Sequence, residues 1–175
     1  ITLPGAGSYS FISWLYFGGV AIALAVTVAS VLKPIRVLIN GTKVILNNRP
    51  VIIHPDIQPS SFLGILFIRS IDEDEIIIQH ELVHIRQRHW IDLVLFELAA
   101  IVLWFNPVMY FYRRSLSIQH EYLADRQVTS AVPVVTYLNC LTRQVESGIQ
   151  SSLTSRFNTQ SIKQRISMIA ERNKY

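Results

Sequence analysis

The sequence predicts an α+β, mainly helical membrane protein: one N-terminal transmembrane helix, a small antiparallel sheet and a set of helices carrying two short polar motifs. Three observations carry that prediction. Phe11–Leu32 runs for 22 residues without a charge, about 33 Å as a helix and enough to cross a bilayer core. Short β-rich segments punctuated by Gly and Pro come next, up to Ser70. Beyond them, His80-Glu81-Leu82-Val83-His84 and Glu121-Tyr122-Leu123-Ala124-Asp125 each place two polar side chains on one helical face.

Composition agrees. The 175 residues suit one domain, and 50% are hydrophobic against 16% charged, where a soluble domain carries about 25% charge. Mean hydropathy is +0.33. The expected organisation is a transmembrane helix with its flank over 1–33, a sheet or hairpin region over 34–70, core helices over 71–130 and a basic helical tail over 131–175. The single cysteine, Cys140, permits no intrachain disulfide and reads as a small buried hydrophobe. The net charge of +4 resides in the tail, where Arg143, Arg156, Lys163, Arg165, Arg172 and Lys174 face only Glu146 and Glu171. A basic tail beside an apolar body suggests an anionic membrane surface. Direct nucleic-acid binding is not expected, because no basic stretch is interleaved with aromatics.

In chain order, Trp14 and Tyr16 stand near one end of the apolar run and Lys33 and Arg36 close the other, as interfacial anchors do. A cleaved signal peptide would carry its basic residues ahead of the run. Lys33, Arg36, Lys43 and Arg49 all lie after it, so the positive-inside tendency places the chain beyond the run in the cytoplasm. Ile35–Ile39 and Lys43–Leu46 flank Asn40-Gly41, a strong hairpin-turn pair, and Val51–Ile53 adds a third strand. Phe62–Ile68, too short to span a bilayer, reads as one more strand. Asp72-Glu73-Asp74-Glu75 then caps and complements a helix N-terminus, and is read so in preference to a metal-binding acidic cluster.

Leu93–Tyr112 is apolar enough to look like a second span, but Glu97 lies inside it and Asn106-Pro107 breaks it. The expectation is two helical pieces that turn at Asn106-Pro107, buried in protein or lying at the bilayer boundary. The turn matters for the chemistry. His80 and His84 can reach one metal ion, and Glu81 can take a proton from water beside it. Zinc needs a third protein ligand, which Glu121 supplies, while Asp125 accepts the other N–H of a ligating histidine and fixes its tautomer. His120 is the competing third ligand; His54 and His89, as lone histidines, read as structural. A single full crossing between the motifs would put them on opposite sides of the membrane, so the chain must double back.

His80-Glu-Leu-Val-His-Ile-Arg-Gln-Arg-His-Trp-Ile-Asp92, then Trp104-Phe-Asn-Pro107, then His120-Glu-Tyr-Leu-Ala-Asp-Arg126 closely resembles the BlaR/MecR-type membrane zinc metallopeptidases, most of all their Bacteroidetes versions. The likeness is good over residues 62–128 and looser around them. It implies zinc on His80, His84 and Glu121, Glu81 as general base, Asp125 in support, and a protease domain facing the cytoplasm of the bacterial inner membrane. In the best-known members such a domain relays an external antibiotic signal by cleaving itself and promoting loss of a transcriptional repressor. No extracellular penicillin-binding sensor is present here, so antibiotic sensing does not carry over. The tail, with Ile162, Ile166 and Ile169 at helical spacing, resembles the stretch leading into a further span, so the chain is expected to be a piece of a longer protein.

The function expected is therefore a membrane-embedded zinc metalloendopeptidase of gluzincin-like type, acting in regulated proteolysis or signal transduction. Its partners would be membrane lipids and a peptide or protein substrate, itself or a transcriptional repressor among the candidates. The substrate is expected to add as a strand to an exposed edge at Phe62–Ile68. Heat-shock-type membrane zinc proteases, used in quality control, are the alternative: they share H-E-x-x-H and E-[FY]-x-A-D, but they usually have glycine where Val83 stands and match nothing at Trp104–Pro107. A non-catalytic signalling module with a structural metal would have no use for Glu81. A plain membrane anchor with an accidental motif would hold no stoichiometric zinc.

Overall fold

The computed structural model describes residues 6–46, 49–55, 57–149 and 155–172. Its elements run α1 (Ala6–Asn40), β1 (Thr42–Leu46), β2 (Arg49–Ile53), β3 (Ser60–Phe62), β4 (Ile65–Ile68), α2 (Glu75–Arg86), α3 (His89–Val102), α4 (Pro107–Val128), α5 (Val134–Ile149) and α6 (Ser155–Arg172).

Helix α1 contains the apolar run and is long and apolar enough, from Ser10 to Asn40, to cross a membrane. It also absorbs Ile35–Ile39, expected as the first strand of a hairpin. Asn40-Gly41 is a helix stop, not a hairpin turn. The Gly41 N–H donates to the Val37 carbonyl at 2.7 Å, and a Cβ on Gly41 would run into both that carbonyl and the Ile52 side chain. The hairpin shifts one strand along, to β1 and β2, paired antiparallel from Thr42↔Ile53 to Leu46↔Arg49.

Phe62–Ile68 is likewise not one strand. Leu63 and Gly64 have φ of 50° and 80°, the double left-handed pair of a tight hairpin turn, and they fold β3 back on β4. The order is β1-β2-β4-β3, with β2 and β4 parallel from Val51↔Leu66 to Ile53↔Ile68. The sheet is therefore mixed, not purely antiparallel. Burial explains the arrangement. β4 (Ile-Leu-Phe-Ile) is the strand able to be covered on both faces, and its Leu66, Phe67 and Ile68 are at most 2% exposed. The shorter, serine-bearing β3 takes the edge.

One sheet face packs Ile52 and Phe67 on Val37 of α1. The other packs Val51, Leu66 and Ile68 with Ile78 and Ile85 of α2. A third cluster joins α2, α4, α5 and α6 through Val83, Ala124, Val128, Tyr137, Leu141, Ile162 and Ile169. The acidic run does cap α2: Asp74 accepts from the Ile76 N–H at 3.0 Å, so the helix begins at Glu75. Arg88, in the left-handed conformation at φ 55°, separates α2 from α3. The chain then reverses at the expected place. Asn106 accepts from the Val108 N–H at 3.0 Å with Pro107 in the first turn of α4, and α4 returns against α2.

Candidate metal centre

His80 and His84 stand one turn apart on the inner face of α2, and α4 brings Glu121 opposite them. The His80 and His84 Nε2 atoms are 3.1 Å apart. Glu121 lies 3.4 Å from His80 Nε2 through Oε2 and 3.6 Å from His84 Nε2 through Oε1. A tetrahedral ion with ligand bonds of about 2.1 Å has edges of about 3.4 Å, so the two imidazoles and the Glu121 carboxylate stand at a spacing that suits zinc. Among the described residues this is the group of three or more His, Cys, Asp or Glu side chains placed to hold a metal.

The tautomer of His80 is set by its surroundings. His80 Nδ1 is 2.9 Å from the Tyr137 hydroxyl, which donates its own hydrogen to Asp125 Oδ1 at 2.6 Å. Arg165 Nη2 donates to the same hydroxyl oxygen at 2.9 Å. With its one hydrogen committed to Asp125, the Tyr137 oxygen can only accept from His80 Nδ1–H, so a neutral His80 would present its Nε2 lone pair to a metal. Asp125 is 3.4 Å from His80 Nδ1, so it supports the histidine mainly through Tyr137, not by direct contact as the motif suggested. A metal on His84 Nε2 puts that ring's proton on Nδ1, 2.8 Å from His89 Nδ1. His89 Nε2–H is then left to donate to Gln87 Oε1 at 2.8 Å. His89 therefore holds the His84 ring and is not the isolated residue expected.

Charge is balanced from α6. Arg165, 8% exposed, donates through Nε to Asp125 Oδ2 at 2.9 Å and through Nη1 to Glu121 Oε2 at 2.9 Å. This basic residue of the tail faces the site, not a membrane surface. Burial alone would raise Glu121, but its contact with His80 in the metal-free site, where Nε2 can carry a proton, and the Arg165 charge outweigh it and bring the carboxyl down to about 2. Burial lowers His84 to about 4 against the opposing pull of Glu121. Burial raises the Glu81 carboxyl above its ordinary value, opposed by the His80 charge and a hydrogen bond from Ser61.

His120, the rival ligand, is engaged elsewhere: its Nε2 lies 3.1 Å from Asp92 Oδ2, and its ring stacks on His89 at 4.0 Å. His54 does not line the site. Cys140 is buried, as expected, and its thiol donates to Asp74 at 3.4 Å. The metal-ligand cluster opens into a cleft of about 350 Å³ that Ser60, Ser61, Glu81 and Arg165 also line. The strand bordering this cleft is β3, because β4 is enclosed by β2 and β3. The exposed edge expected at Phe62–Ile68 therefore belongs to Ser60–Phe62.

Tyr137 and Arg165 were not marked by either motif. Arg165 did leave a signal: with Ile162, Ile166 and Ile169 it completes the i, i+3, i+4, i+7 pattern of one helical face. A cation on an apolar face needs a buried partner. Tyr137 left none, since an aromatic among apolar neighbours is ordinary core. No curated protein matches the chain. The model of a protein family described as BlaR1 peptidase M56 matches residues 43–169, a span that takes in the sheet, α2–α5, both motifs, Tyr137 and Arg165.

Proposed function

The chain belongs to the BlaR1 peptidase M56 family, and from that premise we propose that it is a membrane-anchored zinc endopeptidase. The observation that carries the reading is the spacing of the His80, His84 and Glu121 ligand atoms, 3.1 to 3.6 Å apart with Glu81 beside them. These three residues would hold the ion. Zinc, when bound, supplies the Lewis acidity that acidifies water and polarises a peptide carbonyl.

The remaining work falls to the chain. Glu81 accepts the proton of the attacking water and passes it to the leaving amine. Ser61 holds the Glu81 carboxylate in place. The free edge of β3 offers backbone groups to an extended substrate, which adds as a strand and lies along the cleft. Tyr137 and Asp125 keep the His80 lone pair directed at the ion, and Arg165 offsets the two carboxylates. The sheet and the active-site cleft adjoin the C-terminal end of α1, where Arg36 lies, with Lys43 and Arg49 close by. By the positive-inside tendency that end faces the cytoplasm of the bacterial inner membrane. The substrate class is a peptide or protein, with this chain itself or a transcriptional repressor as candidates in a proteolytic signalling route.

The test is metal analysis and peptide cleavage on the detergent-purified chain beside Glu81→Gln. The unaltered protein should hold one zinc per chain. The variant should keep that zinc while turnover falls at least ~10²-fold, the scale of general-base catalysis. Loss of metal from Glu81→Gln, or unchanged turnover in it, would sink the assignment.

A further inference from the structure

We propose that α3 and α4 form a re-entrant hairpin that enters the bilayer beside α1 and returns to the side it left, its outer face covered by lipid acyl chains. The inference rests on reading α1 as a membrane span and goes beyond it. Three contacts set the depth. Thr27 donates to Glu97 Oε1 at 2.8 Å. Gly19 faces Trp104 so closely that a Cβ would overlap the indole ring. Tyr16 donates to the Val102 carbonyl at 3.1 Å, and its ring lies 6.4 Å from that of Phe105. As α3 advances from Glu97 to its end, its partners move back along α1 from Thr27 to Tyr16. The two helices are therefore antiparallel, and the hairpin tip lies level with Tyr16, in the half of α1 remote from the metal centre. From His89 to Val102, α3 rises about 20 Å, more than half of a hydrocarbon core of about 30 Å.

Surface and hydrogen bonding both fit a lipid surrounding. Leu95, Leu98, Val102, Phe105 and Phe111 are more than half exposed, and so are Phe11, Trp14, Phe17, Ile22 and Val26 on α1. The apolar surface of the hairpin thus continues that of the spanning helix. Between Leu93 and Tyr112 the charged residue is Glu97, and it is paired with Arg113 at 3.2 Å as well as with Thr27. In hydrocarbon the helix ends must satisfy their own backbone groups, and at this turn several do. Ala99 O accepts from Leu103 N and Leu103 O from Asn106 N, Val102 O accepts from Tyr16, and the Asn106 side chain caps α4.

The experiment uses the full chain in phosphatidylcholine–phosphatidylglycerol vesicles, with Cys140→Ser and one spin-labelled cysteine at Phe105→Cys, Leu98→Cys, Val26→Cys or Ile45→Cys. Retained zinc stoichiometry identifies folded variants, and two hairpin positions guard against failure of one. Collision rates with oxygen, which concentrates in lipid, are compared with those of a water-soluble nickel chelate. The Phe105 and Leu98 labels should resemble Val26 in α1, with oxygen favoured several-fold over nickel, while Ile45 in the sheet shows the reverse. Nickel access at Phe105 and Leu98 equal to that at Ile45, with Val26 still protected, overturns the re-entrant hairpin alone. Exclusion of both reagents at the two hairpin positions overturns it too, because protein and not lipid would cover the face. Nickel access at Val26 removes the membrane reading itself.

Discussion

Replacing Tyr137 by Phe tests whether the hydroxyl sets the His80 tautomer. The ring is 1% exposed and packs in the helical core, so the substitution keeps its shape and removes one oxygen. Asp125 stays in place, because Arg165 still holds it through Nε and Nη2. What changes is His80 Nδ1, which loses an acceptor at 2.9 Å and keeps only Asp125 Oδ1 at 3.4 Å, outside the ordinary range of about 2.7–3.2 Å for N–H···O bonds. A buried donor left without its partner costs about 1–3 kcal/mol. Expressed as affinity, that weakens zinc binding by roughly 5- to 150-fold, which brackets the effect usual for partners of metal-bound histidines. Chelator competition measures this directly on the purified protein, with Tyr137→Phe beside the unaltered chain. Zinc affinity within twofold of the unaltered protein, in a variant that unfolds at the same denaturant concentration, would refute the reasoning.

Three further outcomes are expected from the same geometry. Glu121→Ala should lose most bound zinc whereas His120→Ala keeps it; the opposite pattern would return the third-ligand role to His120. His89→Ala should weaken zinc binding about 10-fold by freeing the His84 ring, and His89→Asn, which can still accept a hydrogen bond, should recover part of that loss; equal losses in the two would count against orientation through the ring. In the metal-free protein, acidification should destabilise the fold. The folded-state value of His84 is near 4 against an ordinary 6.5, so between those pH values the unfolded chain binds a proton that the folded chain does not. From pH 7 to pH 5 this amounts to about 2 kcal/mol. It should appear in urea titrations and be absent from His84→Gln. The Glu121 contribution is lost later, as pH falls from 4.5 towards 2.

The parts legible in the sequence were those with a short-range physical cause. Four-residue spacing put His80 with His84 and Glu121 with Asp125, and Asn106-Pro107 marked the reversal because proline cannot continue a helix on its own terms. The errors came from signals with two meanings. Asn40-Gly41 suits a hairpin and a helix stop equally, and the close approach of Ile52, a tertiary fact, selects the second. The turn at Leu63-Gly64 was hidden because Leu63 is apolar and seldom adopts positive φ. Strand order was illegible for a similar reason: which strand takes the middle depends on what covers its two faces.

The site itself was only partly legible because its protonation pattern is set by helices that carry no motif. In most metal sites the ligands must shed protons as the ion arrives. Here burial keeps His84 neutral and the Arg165 charge helps to hold Glu121 low, while the Tyr137 hydroxyl accepts from His80 Nδ1. His84 and Glu121 are thus in the forms that would bind a metal at neutral pH. That state requires α5 for Tyr137 and α6 for Arg165, the latter 40 residues beyond Asp125. Arg165 also stands 2.9 Å from Glu121 Oε2, so the cation that keeps the ligand charged competes with zinc for the same oxygen. The two roles would be compatible, because the guanidinium is also held by a second carboxylate, Asp125. On the proposed reading, Glu121 would ligate the ion and Asp125 would anchor the guanidinium and Tyr137.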